Sequence, residues 1–194
     1  MHYKVDAKVF DKHGNLIKHA DCGAVDADYS INYWLGLIAP FVSGAPATYP
    51  AGSIGSPSVQ LYSFSSSGTE VDYLTSSSIT VNSYTLNSQT SNSIQLTISG
   101  VVGSACGSSC TPQYLRIIGT VGGSSSTNYA GVVIMVNPPS SATSNTCNLT
   151  VSQGQTVQFT LTASARATSS NVLSSSFVTA WAEMWAELIN AILG

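Results

Sequence analysis

Histidines are the first residues to consider for catalysis, because a serine or cysteine nucleophile needs a base beside it. His2, His13 and His19 all fall in or next to the first predicted hairpin, and His13 stands in its turn. The chain has no Gly-x-Ser-x-Gly elbow from a strand into a helix, no His-Glu-x-x-His and no phosphate-binding glycine loop. We therefore predict that the protein is not an enzyme.

Two carboxylate pairs are the other candidates for chemistry. Asp26 with Asp28, and Glu70 with Asp72, are each separated by one residue in predicted loops or caps. Paired carboxylates can cleave glycosides or help to bind calcium, but a calcium site needs six to eight oxygen ligands. Asp28 is better explained as the cap of a helix. We predict no catalytic residue, no metal site and no cofactor.

The four cysteines leave three alternatives open. Cys106 and Cys110 share a turn rich in glycine and serine, where they could close a small disulfide loop, remain thiols or supply two zinc ligands. A structural zinc needs four ligands in one place, so Cys22 with His19, or Cys147, would have to complete it. The disulfide is the favoured alternative; such bonds form in oxidising compartments and inside hyperthermophiles.

Charge is scarce and unevenly distributed. Charged residues make up 8% of the chain, against roughly 25% in an average soluble domain. Between Tyr73 and Ala182 the only formal charges are Arg116 and Arg166. Nucleic-acid binding needs clustered Lys and Arg, so we expect none. A surface with so little charge meets little repulsion from copies of itself, which favours self-assembly.

Alternation of apolar and polar residues predicts a mainly β protein. A hairpin of Tyr3–Phe10 and Leu16–His19 comes first, and residues 28–39 form a short helix that ends before Pro40. Short strands with turn residues between them predict an antiparallel β-sandwich, or a single jelly roll, over residues 1–166. The later predicted strands are Val59–Phe64, Ser78–Leu86, Ser93–Val102, Tyr114–Val121, Tyr129–Asn137, Cys147–Val151 and Thr156–Ala163.

Residues 167–194 predict a linker followed by an amphipathic helix. The apolar side chains of this helix form a stripe along one of its faces. This stripe could pack on its own sandwich, on a neighbouring subunit or on a lipid surface, although the polar face of the helix lacks the Lys and Arg that anionic membranes attract. We take it as an assembly or membrane contact, so removing residues 177–194 should abolish assembly and leave the sandwich folded. Its apolar residues include Phe177, Trp181, Met184, Trp185, Leu188, Ile189 and Ile192.

Targeting features are few. No apolar segment typical of a secretory signal follows Met1, and no run of 18 apolar residues predicts a spanning helix. We expect synthesis in a host cytoplasm and release by assembly into a particle. Asn148, in the sequence Asn-Leu-Thr, is a possible glycosylation site.

The pattern of the chain resembles that of virion proteins from thermophile viruses. Residues 3–17 and 28–35 resemble the opening hairpin and aromatic helix of such proteins, and residues 149–161 are similar to their closing hairpin. Low charge with abundant Ser and Thr resembles coat proteins of icosahedral archaeal viruses of the turreted and polyhedral types. The resemblance implies a capsid, penton or turret subunit with a single jelly roll, whose partners are itself and other virion proteins.

Two other functions fit the same pattern. An extracellular filament or surface-layer subunit would also use polar strands and the glycosylation sequence. A carbohydrate-binding or receptor-binding sandwich would use an aromatic platform, for which the candidates are Tyr33, Trp34, Tyr62, Tyr73 and Tyr84.

Overall fold

The computed structural model describes residues 2–25, 54–86, 92–121, 129–137, 147–165 and 175–194. Within them lie nine strands, a short 3-10 helix at Ser104–Cys106 and a C-terminal helix, α1, at Ser175–Leu193. The strands are β1 (His2–Phe10), β2 (Leu16–Val25), β3 (Ile54–Phe64), β4 (Glu70–Asp72), β5 (Leu74–Thr85), β6 (Asn92–Val102), β7 (Tyr114–Val121), β8 (Tyr129–Met135) and β9 (Thr156–Ala165).

The strands form two antiparallel sheets. The five-stranded sheet has the order β2-β1-β9-β6-β5, and the four-stranded sheet has the order β4-β3-β7-β8. The predicted mainly β, antiparallel sandwich is confirmed. Hairpins β1–β2, β3–β4, β5–β6 and β7–β8 each stay within one sheet, and the chain changes sheet after every hairpin. The jelly-roll connectivity stays a prediction.

Alternation along β6 and β9 directs one set of side chains into the core, because successive residues of a strand point to opposite faces. Leu96 pairs with Leu161, and Ile98 with Phe159, and all four are buried. They belong to one apolar cluster that also contains residues of β3, β7 and β8. The two sheets therefore enclose a common core.

The first hairpin turns where the sequence predicts it. The Asp11 carboxylate accepts hydrogen bonds from the side chain and backbone N–H of Asn15, both at 2.9 Å, and from the backbone N–H of His13 at 2.8 Å. The bonds from Asn15, first that of its side chain, hold the pKa of Asp11 below its usual value. Gly14 supplies the positive φ of 84° that the turn requires. The predicted helix at 28–39 lies outside the described residues.

The sequence analysis missed one strand and predicted one that does not form. The missed strand is the three-residue β4, because so short a segment has no periodicity. Residues 147–151 do not form a regular strand; their only bridge joins Val151 to Cys110. This segment is held instead by a disulfide from Cys147 and by the buried side chain of Asn137.

Helix α1 packs on its own sandwich, which corrects the prediction of an assembly or membrane contact. It lies against β3, β5, β8 and β9, and so against both sheets. Its buried side chains belong to the same apolar cluster as the buried side chains of the strands. Burying one large apolar side chain stabilises a fold by about 1.5–3 kcal/mol, which favours this position over exposure to water. They include Trp181, Met184, Trp185, Leu188 and Ile189.

The remaining residues of the predicted contact stripe are Ile192 and Phe177. Ile192 is half-buried against the core, and the side chain of Phe177 lies outside the described residues. The Trp181 indole N–H donates to the Tyr3 hydroxyl at 3.1 Å, which ties the helix to β1. From Trp181 to Ile192 the helix thus shares the core of the sandwich. Among the described residues, no helix has the length and apolar character needed to cross a bilayer.

Candidate assembly surface

In the part of the five-stranded sheet formed by β5, β6 and β9, the outer face is lined with uncharged polar side chains. The alternation that turns Leu96, Ile98, Phe159 and Leu161 into the core turns hydroxyls and amides outward on the same strands. We call this surface of β5, β6 and β9 the hydroxyl–amide face. Its members are Ser78, Thr80, Asn82, Gln95, Thr97, Ser99, Gln158, Thr160 and Thr162.

These side chains stand in rows across the sheet. Thr80 of β5 is opposite Thr97 of β6, which is opposite Thr160 of β9. Neighbouring strands lie about 4.7–4.9 Å apart, so the hydroxyls of one row come within reach of each other. A regular array of small polar groups is the result.

Hydrogen bonds within the face already satisfy several of its polar groups. The Asn82 amide donates to the Thr97 hydroxyl at 2.9 Å and, over a longer 3.4 Å, to the Gln95 carbonyl oxygen. The Gln95 amide approaches the Thr162 hydroxyl at 3.5 Å. A polar group that keeps its hydrogen bond loses less free energy when water is removed from it. The face can therefore be covered by another surface at modest cost.

Charge begins only at the β1 side of the sheet. Lys4, Asp6 and Lys8 of β1 point outward beside the polar row of β9, and Asp6 also accepts a 2.6 Å bond from His19. The five-stranded sheet is thus divided into a charged part on β1 and β2 and an uncharged part on the other three strands. His19 makes this hydrogen bond, and His13 is an exposed turn residue.

An aromatic and arginine cluster lies on the four-stranded sheet. The rings of Tyr62 and Tyr114 stack at 5.3 Å, Phe64 packs edge-on against both, and the Arg116 guanidinium lies 4.6 Å from the Tyr62 centroid. Arg116 also pairs with Glu70 at 2.5 Å. Arg116 is one of the two charged residues between Tyr73 and Ala182, and its charge is therefore neutralised within the sheet. Its isolation in a strand was the only sequence signal for this cluster.

The proposed aromatic platform for sugars does not form as predicted. Tyr62 is buried in the four-stranded sheet, Tyr73 is half-buried against the main core, and Tyr84 is exposed on β5 of the other sheet. These three rings cannot present one surface because they belong to different layers. Tyr33 and Trp34 lie outside the described residues.

All four cysteines form disulfides, Cys106 with Cys110 and Cys22 with Cys147. Neither the thiol nor the zinc alternative applies to this state of the protein. The second bond joins β2 to the segment at 147–151, and its pairing was not predicted. No spacing in the sequence indicates a partner 125 residues away.

Asn148 lies on the surface beside the second disulfide. It is exposed, has a positive φ of 46°, and its backbone carbonyl accepts a hydrogen bond from the Lys18 ammonium group. The glycosylation sequence is therefore in a surface segment rather than in a strand. Its modification stays a prediction.

Metal-binding groups do not converge in the part of the chain that the structure describes: no three His, Cys, Asp or Glu side chains come together there. The candidate functional feature of the described residues is therefore the hydroxyl–amide face. Comparisons of the chain with protein-family models, with curated proteins and with solved structures gave no match.

Proposed function

We propose that this chain is a structural subunit that assembles with copies of itself through the uncharged part of its five-stranded sheet. The observation that carries the proposal is the hydroxyl–amide face, which extends over three strands without a charged residue. The resemblance to virion proteins makes a virus particle the assembly we expect, with the chain as a capsid, penton or turret subunit.

The physical argument concerns what it costs to cover this face. Two copies that bring such faces together separate no ions from water and oppose no like charges, so electrostatic repulsion is small. The internal bonds of Asn82 and Gln95 remain when the face is covered. The contact then depends on how well the shapes of the two surfaces fit each other, which is how specific interfaces achieve their packing.

The role assigned to α1 changes accordingly. Because its apolar stripe is buried in its own core, the contact between subunits has to come from strands and loops. The helix supports the sheet from within, where it packs against β5 and β9. Lipid contact through this helix is no longer part of the proposal.

Two disulfides also suit a particle or a surface layer, because such bonds persist outside the reducing cytosol or inside hyperthermophiles. This observation favours an extracellular filament or surface-layer subunit as the second candidate function. It shares the self-assembly of the first candidate, and differs in the structure that the copies build.

The test is the mass of the purified chain by light scattering, with negative-stain imaging of the same sample. Large symmetric particles would support a shell subunit, and linear or planar arrays would favour the second candidate. A monomer at every concentration would show that the proposal is wrong.

A pair of variants examines the face itself. Ser99→Lys with Thr160→Lys places two charges in the middle of the face, at positions that are not opposite each other within the sheet. This variant should reduce assembly roughly tenfold or more, since like charges then meet across the contact. The control, Ser108→Lys with Ser109→Lys, adds the same charge at exposed positions in the disulfide loop and should assemble as the original chain does. Equal assembly by both variants would contradict a role for the face.

A further inference from the structure

The five-stranded sheet has two edge strands, β2 and β5. Among the described strands, β5 pairs only with β6. An edge strand presents unpaired N–H and C=O groups that another strand can bind. Proteins usually protect such edges with charges, with Pro, with bulges, or by keeping the strand short. The edges of the two sheets differ in this respect.

Three of the four edge strands are protected. Strand β2 carries Lys18, His19 and Asp21, and its pairing with β1 is broken by two irregularities. Strand β4 has three residues, two of which are Glu70 and Asp72. Strand β8 has no charge, but its central residues are buried within the fold: Val132, Val133 and Ile134.

Strand β5 is the exception among the described strands. It has 12 residues, no charge and no Pro, and nearly all of its side chains are exposed. Irregularities in its pairing with β6 fall between Leu74 and Ser76 and between Val81 and Ser83. The stretch from Ser76 to Val81 is therefore a regular strand that has no second neighbour among the described strands.

We propose that β5 pairs antiparallel with β5 of a second copy across a two-fold axis, joining the two five-stranded sheets into one continuous sheet. A two-fold axis brings the same segment together in opposite directions, which is the antiparallel arrangement of every neighbouring pair in this fold. With no charge on Ser76–Val81, no position of the pair opposes a like charge. The inference rests on the proposed self-assembly and names one of its contacts.

Ser77 allows the edge to be tested separately from the hydroxyl–amide face. It pairs with Gly100, on the side of β6 that faces the core, and its side chain is exposed. It lines a cavity of about 190 Å³ together with Ala191 and Ile192, at the C-terminal end of α1. A cation is favourable at that end of a helix, so Ser77→Lys should fold.

The experiment compares the original chain, Ser77→Lys and Ser77→Thr by sedimentation equilibrium. At concentrations below those at which the larger assembly forms, the original chain and Ser77→Thr, which keeps the edge uncharged, should form a dimer. Ser77→Lys should raise the dimer dissociation constant roughly tenfold or more, because each of the two paired strands then carries a lysine on the same face and the like charges repel across the pair. Circular dichroism should show that all three are folded.

The double variant Ser99→Lys with Thr160→Lys separates the two contacts. It should keep the β5 dimer while losing the larger assembly, since its charges lie on inner strands. Hydrogen exchange gives a second measurement: amides in Leu74–Thr85 should become protected as the concentration rises.

A Ser77→Lys chain that dimerises as well as Ser77→Thr would overturn the edge pairing, as would association without protection of β5. In either case the proposed self-assembly would stand, through the face alone. An original chain that stays monomeric would overturn both proposals together.

Discussion

Asn137 is the residue on which the fold around the second disulfide depends most directly. Its buried amide N–H groups donate to the carbonyls of Pro112 at 2.7 Å and Leu149 at 2.8 Å, and its oxygen accepts from the Leu149 N–H at 2.9 Å. One side chain thus replaces the strand pairing that residues 147–151 lack. An amide suits this position because it donates and accepts at once.

Replacing Asn137 tests its hydrogen-bond donors and its hydrogen-bond acceptor separately. Asn137→Ala leaves buried backbone groups without partners and should lower the free energy of unfolding by roughly 2–4 kcal/mol. Asn137→Asp should be at least as harmful near neutral pH, where a carboxylate faces two carbonyl oxygens. Burial raises the pKa of such a carboxyl, and the protonated form can donate one bond.

The measurement is urea unfolding of both variants and the original chain at about pH 7 and about pH 4. The deficit of Asn137→Asp should shrink at the lower pH, whereas the deficit of Asn137→Ala should not change. A deficit of Asn137→Asp that is independent of pH would show that the hydrogen bonds are not the cause.

At the scale of elements, α1 is part of the core and not an attachment to it. Trp181 and Trp185 are both fully buried and pack edge-to-face at 6.0 Å. Trp185→Ala should lower the free energy of unfolding by about 3–5 kcal/mol, the usual cost of removing a large core side chain. Removing residues 175–194 should unfold the sandwich, in contrast to the sequence-based expectation.

Glu183→Ala is the matched control for Trp185→Ala, because Glu183 is exposed on the same helix. It should change stability by less than about 0.5 kcal/mol. Thermal unfolding followed by circular dichroism would measure both. A truncated chain that unfolds cooperatively at the original temperature would mean that the sandwich does not need the helix.

The two disulfides should differ in their contribution to stability. Cys22–Cys147 closes a loop of 125 residues and Cys106–Cys110 a loop of 4. The loss of unfolded-chain entropy predicts roughly 5 kcal/mol for the first and roughly 2 kcal/mol for the second. Urea unfolding of Cys22→Ala with Cys147→Ala, against Cys106→Ala with Cys110→Ala, would check the order. A larger loss from the shorter loop would contradict this account.

At the scale of the whole molecule, charge is concentrated at one end of the five-stranded sheet. Association through the uncharged strands should then depend little on salt. Raising NaCl from about 0.1 M to about 1 M shortens the Debye length from about 10 Å to about 3 Å. We expect the dissociation constant of the original chain to change less than about threefold, because the contacts hold no charges to screen.

Ser77→Lys is the control for this salt dependence. Its residual association should strengthen as salt screens the repulsion between the two introduced lysines. Sedimentation equilibrium at the two salt concentrations would measure both chains. A marked weakening of the original dimer by salt would mean that charged residues of β1 and β2 take part in the contact.

The sequence by itself determined most of the described strands, and the inner and outer sides of β6 and β9. Strand β7 has the predicted bounds, Tyr114–Val121, and the alternation in β6 and β9 correctly separated core residues from the hydroxyl–amide face. These properties were predictable because a strand's side-chain period of two is local and can be read from a few neighbouring residues. The scarcity of charge was equally visible, and it carries the proposed function.

Only the tertiary structure decided which surfaces remain exposed. The stripe of α1 is apolar in either environment, and its burial depends on contacts such as that between Trp181 and Tyr3, which are 178 residues apart. The pairing of Cys22 with Cys147 and the position of β5 at an edge are likewise set by which segments meet. No local pattern encodes such meetings, because they follow from the packing of the whole chain around one core.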